Sequence, residues 1–302
     1  MNRIVECVPN FSEGRNSEII AALVASVNEG LGAAVLGVHT DANHHRSVIT
    51  FAGRPEGVEA AALRVIKRAS ELIDLRKHDG VHPRLGATDV VPFVPIAGVT
   101  MKDCVAIAHR VGERVAKDFG IPVYFYEHAA LSPERRHLEH VRGGGFEQLA
   151  REIGVAPESM PDVGPGFLHP SAGACIIGAR AFLIAFNVNL QSSDLTFARR
   201  IAKAVRARDG GLPFVKALGV ELATRGIVQV SMNLIDYRVT SLLDAFVAVE
   251  REARMLGLEI EGSEIVGLVP GDALPDDAER LLKLENFSPN LILENRLREA
   301  FM

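Results

Sequence analysis

The sequence predicts an α+β fold, a sandwich of sheet and helix layers built from two similar units, and three observations predict it. Hydrophobic periodicity over the first hundred residues alternates in the order β-α-β-β-α-β. The same order returns from Arg180 onward. The halves also share punctuation: an apolar strand runs into an asparagine before a helix at Asn10 and again at Asn189, and VVPFVP near Val94 is matched by EIVGLVP near Val269. A period of about 175 residues lies far outside the roughly 20–50 of solenoid arrays, so the repeat is of a whole supersecondary unit. The order is that of ferredoxin-like sheets, which carry their helices on one face.

Each element has a local reason. Residues 3–9 are a short apolar strand ended by Pro9 and Asn10, and NSEIIAALVASVNEGLG places Ile20, Leu23, Val24 and Val27 at helical spacing before Gly30 stops the helix. AVLGV at 34–38 and SVITFA at 47–52 are β-branched strands joined by the polar loop HTDANHHR. Pro55 opens an Ala-rich amphipathic helix that runs to about Leu75, and TDVVPFVP closes the unit as a strand. A helix over 103–119, the strand PVYFYE and a polar helical stretch follow. PDVGPGFLHPSAGA, with three prolines and three glycines, cannot be regular structure and is a linker or a ligand-facing loop. In the second half RAFLIAFNVNL is a strand, LTFARRIAKAVR a helix, FVKALGVELA and GIVQVSMNLID a strand pair, SLLDAFVAVEREARMLG a helix and SEIVGLVP the last strand.

Composition narrows the function. Of 302 residues, 33 are Lys or Arg and 38 are Asp or Glu, with no basic block, so nothing draws the chain to a nucleic-acid backbone or an anionic membrane and the expected partner is a small molecule. Cys7, Cys104 and Cys175 are odd in number and far apart, which implies neither a disulfide framework nor a thiolate zinc site and fits a reducing cytoplasm. The N-terminus lacks the apolar core of a signal peptide, and Arg180 and Asn187 break the longest apolar stretch, so a membrane span is not expected.

Four groups of residues can carry chemistry. His82 sits in a turn bounded by Gly80 and Pro83, just before a buried strand, where a neutral imidazole can act as a general base; many loop histidines serve only local hydrogen bonds. His78 and His82 have the i, i+4 spacing of a helical metal pair, but Gly80 and Pro83 oppose helix there. The loop His39-Thr40-Asp41-Ala42-Asn43-His44-His45-Arg46 is either a solvated connection with an Asx turn or a cluster that offers Asp41 to a cation and Arg46 to a carboxylate. Together His39, Asp41, His44, His45, His78 and His82 keep open a metal-dependent hydrolase. GPGFLHPSAG would let backbone approach a flat ligand, and Asn187, Asn189 and Asn233 at strand ends are caps or readers of a heterocycle edge. Gly143-Gly144-Gly145 lacks a preceding strand and a GK[ST], so it is not a phosphate loop.

VECVPNFSEG, HPRLGATDVVPFVP, PDVGPGFLHPSAGA, GARAFLIAFNVNL and QVSMNLIDY, in that order, resemble glutamate formimidoyltransferase, which also occurs as the N-terminal part of formimidoyltransferase-cyclodeaminase. The resemblance covers nearly the whole chain, and no cyclodeaminase segment is expected before Met302. It implies transfer of a formimino group from N-formimino-L-glutamate to N5 of tetrahydrofolate by two α/β subdomains, residues 1–178 and 179–302, with the ligand cleft between their sheets. The family's catalytic histidine falls on His82. Its folate-binding loop falls on Val163-Gly164-Pro165-Gly166-Phe167-Leu168-His169-Pro170-Ser171-Ala172, and Asn10, Asn187 and Asn189 are expected to join it. The loop through Arg46 follows the family pattern D-x-D/N-H-N-R except that His45 replaces Asn.

On that reading Asp41 stabilises the protonated amidine, and Arg46 and Arg84 take the donor's carboxylates. No metal or tightly bound cofactor is implied, tetrahydrofolate being a co-substrate, and a cytoplasmic homodimer is expected. A formyltransferase or cycloligase acting on 5-formyltetrahydrofolate at the same site is the alternative.

Overall fold

The computed structural model describes residues 3–42, 44–79, 83–222, 224–285 and 287–301. Contacts divide the chain into two compact units, Met1–Arg180 and Ala181–Met302. The first contains β1 (Ile4–Cys7), β2 (Asn10–Phe11), α1 (Ser17–Asn28), β3 (Ala33–Asp41), β4 (Arg46–Gly53), α2 (Pro55–Leu72), β5 (Thr88–Ala97), α3 (Met101–Phe119), β6 (Val123–Glu127), α4 (Leu138–Arg142), α5 (Gly145–Glu152) and β7 (Cys175–Ala179). β1 and β2 are one row broken at Pro9: both pair antiparallel with β4 on one side and β5 on the other. The sheet therefore runs β3, β4, β1/β2, β5, β7, β6, the last three mutually parallel.

The helices form where capping and amphipathicity coincide. Asn16 caps α1 by accepting from the Glu18 and Ile19 amides, Pro55 occupies the first turn of α2, and Thr100 and Asp103 form a capping box on α3, which Gly120 ends in the left-handed region at φ 67°. Val5, Cys7, Phe11, Ile49, Phe51, Val91 and Phe93 turn to α1, α2 and α3 and make one core with them. The other face carries a smaller cluster, with Val90, Tyr124, Tyr126 and Ile176 beneath Leu138 of α4 and Leu149 of α5. All three cysteines lie buried and unbridged, and burial raises each thiol pKa, that of Cys104 to about 12.

The second unit contains β8 (Ile184–Leu190), α6 (Leu195–Val205), β9 (Val215–Leu222), β10 (Ile227–Leu234), α7 (Leu242–Met255), β11 (Ile260–Val266), α8 (Ala278–Leu281) and α9 (Leu293–Phe301). Its sheet is ordered β11, β8, β10, β9 and is antiparallel throughout. Phe186, Val188, Val230 and Met232 face α6 and α7. Numbered by their order within the β-α-β-β-α-β run, the strands of both units lie 4-1-3-2: β5, β1/β2, β4, β3 and β11, β8, β10, β9. The chain is an α+β protein of two ferredoxin-like subdomains, the first extended by β6 and β7.

Three expectations are corrected. The strand expected over 180–190 begins at Ile184 as β8, residues 180–183 are irregular, and a strand the sequence reading did not name, β7, precedes them and ends at Ala179. Half of the polar loop 39–46 is strand, since His39, Thr40 and Asp41 end β3 and Arg46 begins β4. α2 also stops at Leu72, and a 3-10 turn over Leu75–Lys77 follows.

Glu6 lies on β1 opposite the face that Val5 and Cys7 present to the core, and it is 1% exposed. Burial raises its carboxyl pKa to about 7, against the pull of Arg180. The folded protein therefore holds a proton there that the unfolded chain loses near pH 4.5, and stability falls as pH rises from 4.5 to 7. Glu6→Gln is expected to flatten that decline and to be more stable than the parent at pH 8, by about 1–3 kcal/mol, with little gain at pH 4.5; urea titration at both values checks it.

Candidate active site

β3 and β4 pair so that their register sets Asp41 opposite Arg46. Asp41 organises the turn: Oδ1 accepts the His44 amide at 2.9 Å and Oδ2 lies 2.6 Å from His44 Nδ1. His45 lies in the left-handed region at φ 50°, a conformation uncommon for a non-glycine residue.

That backbone carries the His45 ring to Glu13, whose Oε1 lies 3.1 Å from Nε2 and also accepts the Arg15 and Asn16 amides. Burial alone would raise the Glu13 pKa; those two amides and His45 hold it below the usual carboxylate range. The His78 ring stacks on His45 at 4.4 Å and 9°. Its Nε2 meets the His45 carbonyl at 2.9 Å, so Nε2 carries the hydrogen, and burial lowers its pKa, leaving the ring neutral at pH 7. Arg15 reaches Asp79 at 2.6 Å and the Ala42 carbonyl at 3.0 Å, joining the helix entry to the hairpin and to the segment before residue 80.

A β-bulge makes the second cluster. Asn10 pairs with Val90 and Phe11 with Thr88, so Asp89 is an extra residue on β5. Its carboxylate, with no exposure, meets Arg46 Nη1 at 3.0 Å and Arg142 Nη2 at 2.6 Å on one oxygen and accepts the Leu85 amide at 2.8 Å on the other. Arg46 also donates to the Asn10 side-chain oxygen at 2.6 and 3.1 Å. Burial and the like charge of Arg142 lower the Arg46 pKa to about 10, and it stays cationic. Arg84 pairs with Glu147 at 2.9 Å and lies over the Phe146 ring.

The loop from Val163 to Ala172 is pinned at both ends. The Val123 amide donates to the Val163 carbonyl at 2.9 Å, and His169 and Gly173 exchange amide bonds at 3.0 Å each. His169 Nδ1 accepts the Ala172 amide at 3.0 Å, so this ring, its pKa lowered by burial, carries its hydrogen on Nε2. The Ala87 amide then donates to the Ala172 carbonyl and the Ala174 amide to the Leu85 carbonyl, both at 2.9 Å, while Ser12 Oγ bonds the Gly86 carbonyl at 2.8 Å. Pro83 to Ala87 and the far end of the predicted folate loop are thus one backbone unit. Gly164 to Leu168 stay partly exposed between the pins, and Phe167 is 65% exposed. His82 lies outside the described residues.

In the second unit, Asn187 and Asn189 lie on the β8 face away from the core. Asn187 donates to Glu264 at 2.9 Å, Asn189 donates to Glu285 at 3.1 Å, and Gln229 donates to both Asn189 and Glu264.

Comparison with known proteins gives the family. The family model "Formiminotransferase domain, N-terminal subdomain" matches residues 4–180, and "Formiminotransferase domain" matches residues 185–300. The chain belongs to the formiminotransferase family. It is 45% identical to a glutamate formimidoyltransferase of Streptococcus pyogenes across 98% of this chain and 99% of that one, and 44% identical to one of Thermoplasma acidophilum across 98% of each. It is 43% identical to formimidoyltransferase-cyclodeaminase of Mus musculus across 98% of this chain and 57% of that protein.

Within this formiminotransferase chain, sequence reasoning missed Glu13, Asp89 and Arg142. Asp89 left one signal, a carboxylate inside a β-branched run; Arg142 left none, since 53 residues separate it from its partner. Among the described residues no three His, Cys, Asp or Glu side chains are disposed to hold a metal, and no helix is long and apolar enough to cross a membrane.

A Cβ on Gly86 would stand 1.8 Å from the Ala174 carbonyl oxygen. Gly86→Ala is expected to part the two joined loops, lowering stability by about 1–3 kcal/mol, several degrees in melting temperature by scanning calorimetry.

Proposed function

We propose that this protein is a glutamate formimidoyltransferase: it transfers the formimino group of N-formimino-L-glutamate to N5 of tetrahydrofolate, releasing 5-formimidoyltetrahydrofolate and L-glutamate. The observation that carries the reading is end-to-end identity of 44–45% with two enzymes of that name, each matched over 98% or more of its length.

The chemistry divides among the residues as follows. The amidine becomes a good electrophile when protonated, and Asp41, its carboxylate oriented by His44, balances the amidinium. N5 attacks the amidine carbon, forming the N5–C bond and leaving a cationic N5. His82 accepts the N5 proton and returns it to the donor nitrogen as the bond from carbon to that nitrogen breaks, so the histidine ends as it began. Arg46 and Arg84 take the donor carboxylates, the loop Val163 to Ala172 holds the folate, and Asn10, Asn187 and Asn189 add amide contacts to it. The backbone bonds between residues 85–87 and 172–174 support this division, because they tie the segment after His82 to the far end of the folate loop. No resident cofactor enters the scheme. We infer a cytoplasmic homodimer.

Incubation with tetrahydrofolate and formiminoglutamate, followed by acid, should yield the absorbance of the methenyl product. His82→Ala should cut turnover by about a hundredfold while folate affinity stays within roughly tenfold. Unchanged turnover in that variant removes the mechanism; product from 5-formyltetrahydrofolate but not from formiminoglutamate replaces the donor.

A further inference from the structure

We propose that Arg142 supplies a further guanidinium for the carboxylates of the formimino donor, and that Asp89 is the positioning residue that aims it together with Arg46. The inference rests on the formimidoyl-transfer reading and concerns two residues that neither the sequence nor the resemblance singled out.

Three observations lead to it. Arg46 Nη1 and Arg142 Nη2 converge on the same oxygen of Asp89, at 3.0 and 2.6 Å. Two cations share one anion, which leaves the trio a net positive charge in a place where only 14% and 15% of the arginine side chains meet solvent. Like charges so confined repel, and an arriving carboxylate relieves that cost. Second, Arg142 Nε and Arg84 Nε are each buried without a hydrogen-bond partner, so both guanidinium groups hold an unused donor that a turn of the side chain would present, and a planar fork matches a carboxylate edge. Third, the other Asp89 oxygen holds the Leu85 amide, three residues beyond His82, so the guanidinium pair and the segment that carries the general base share one anchor.

A purely structural role would have Arg142 fasten α4 to the sheet and touch no substrate. The two roles separate in the kinetics. Arg142→Gln should raise KM for formiminoglutamate by about tenfold or more while KM for tetrahydrofolate stays within about twofold, and should weaken L-glutamate binding by a similar factor in titration calorimetry. Arg142→Lys, which keeps the charge and loses the fork, should recover part of the loss. Asp89→Asn should move the same constants in the same direction, and the double variant should fall short of the summed effects. A folded Arg142→Gln protein with parental L-glutamate affinity, or with both KM values raised alike, overturns the proposal. If the parent protein does not turn over formiminoglutamate, the transfer reading fails; the L-glutamate titration then judges the arginine site by itself, and parent binding no tighter than that of Arg142→Gln overturns it.

Discussion

A carboxylate with no exposure to water is stable only where cations and amides surround it, and Asp89 imposes that demand on the first unit. Its partners come from everywhere: Arg46 from the start of β4, Arg142 from the end of α4, and the Leu85 amide from the turn before β5. The hairpin, the short helix and the segment after residue 82 are consequently fixed relative to one another by one buried ion. Removing Asp89 would leave Arg46 and Arg142 as uncompensated, nearly buried like charges, so the arrangement depends on that one carboxylate.

Placing Asp89 required a departure from regular sheet. Strict alternation along β5 would put residue 89 on the side of Val91 and Phe93, inside the core. The bulge opposite Asn10 and Phe11 inserts one residue, and both Thr88 and Val90 keep their proper faces while the carboxylate is re-aimed toward Arg46. The strain of the site is met again at His45, held at φ 50° so that its ring reaches Glu13 and His78. Irregular backbone and unusual charge burial coincide within a few residues, as they do where a scaffold presents functional groups.

These departures also explain what the sequence disclosed. Local rules were sufficient for the helices, because Asn16, Thr100 and Ser241 cap within three residues of where each helix begins and amphipathic spacing does the rest. They were sufficient for the 4-1-3-2 units, since the β-α-β-β-α-β order leaves few pairings. They were less sharp between Cys175 and Leu190: Arg180 marks the change of unit, but apolar residues on both sides of it hide the end of β7 at Ala179 and the start of β8 at Ile184. In the site, Asp41 and Arg46 were legible because a polar hairpin between apolar strands stands out. Arg142 and Glu13 were not, for their meaning lies in partners 53 and 32 residues away.

The repeat has kept its frame and exchanged its chemistry. Asn10 and Asn189 both sit on the first strand of their unit, on the face away from the helices, and each side-chain oxygen accepts from the neighbouring third strand. In the first unit the donor is Arg46, drawn by Asp89 into a cationic cluster; in the second it is Gln229, and the array runs on through neutral amides to Glu264 and Glu285. A cationic face suits a donor that carries carboxylates, while amides backed by carboxylates suit a heterocycle with N–H edges. One folding solution, used twice, thus supplies two polar surfaces of different character on the same strand positions.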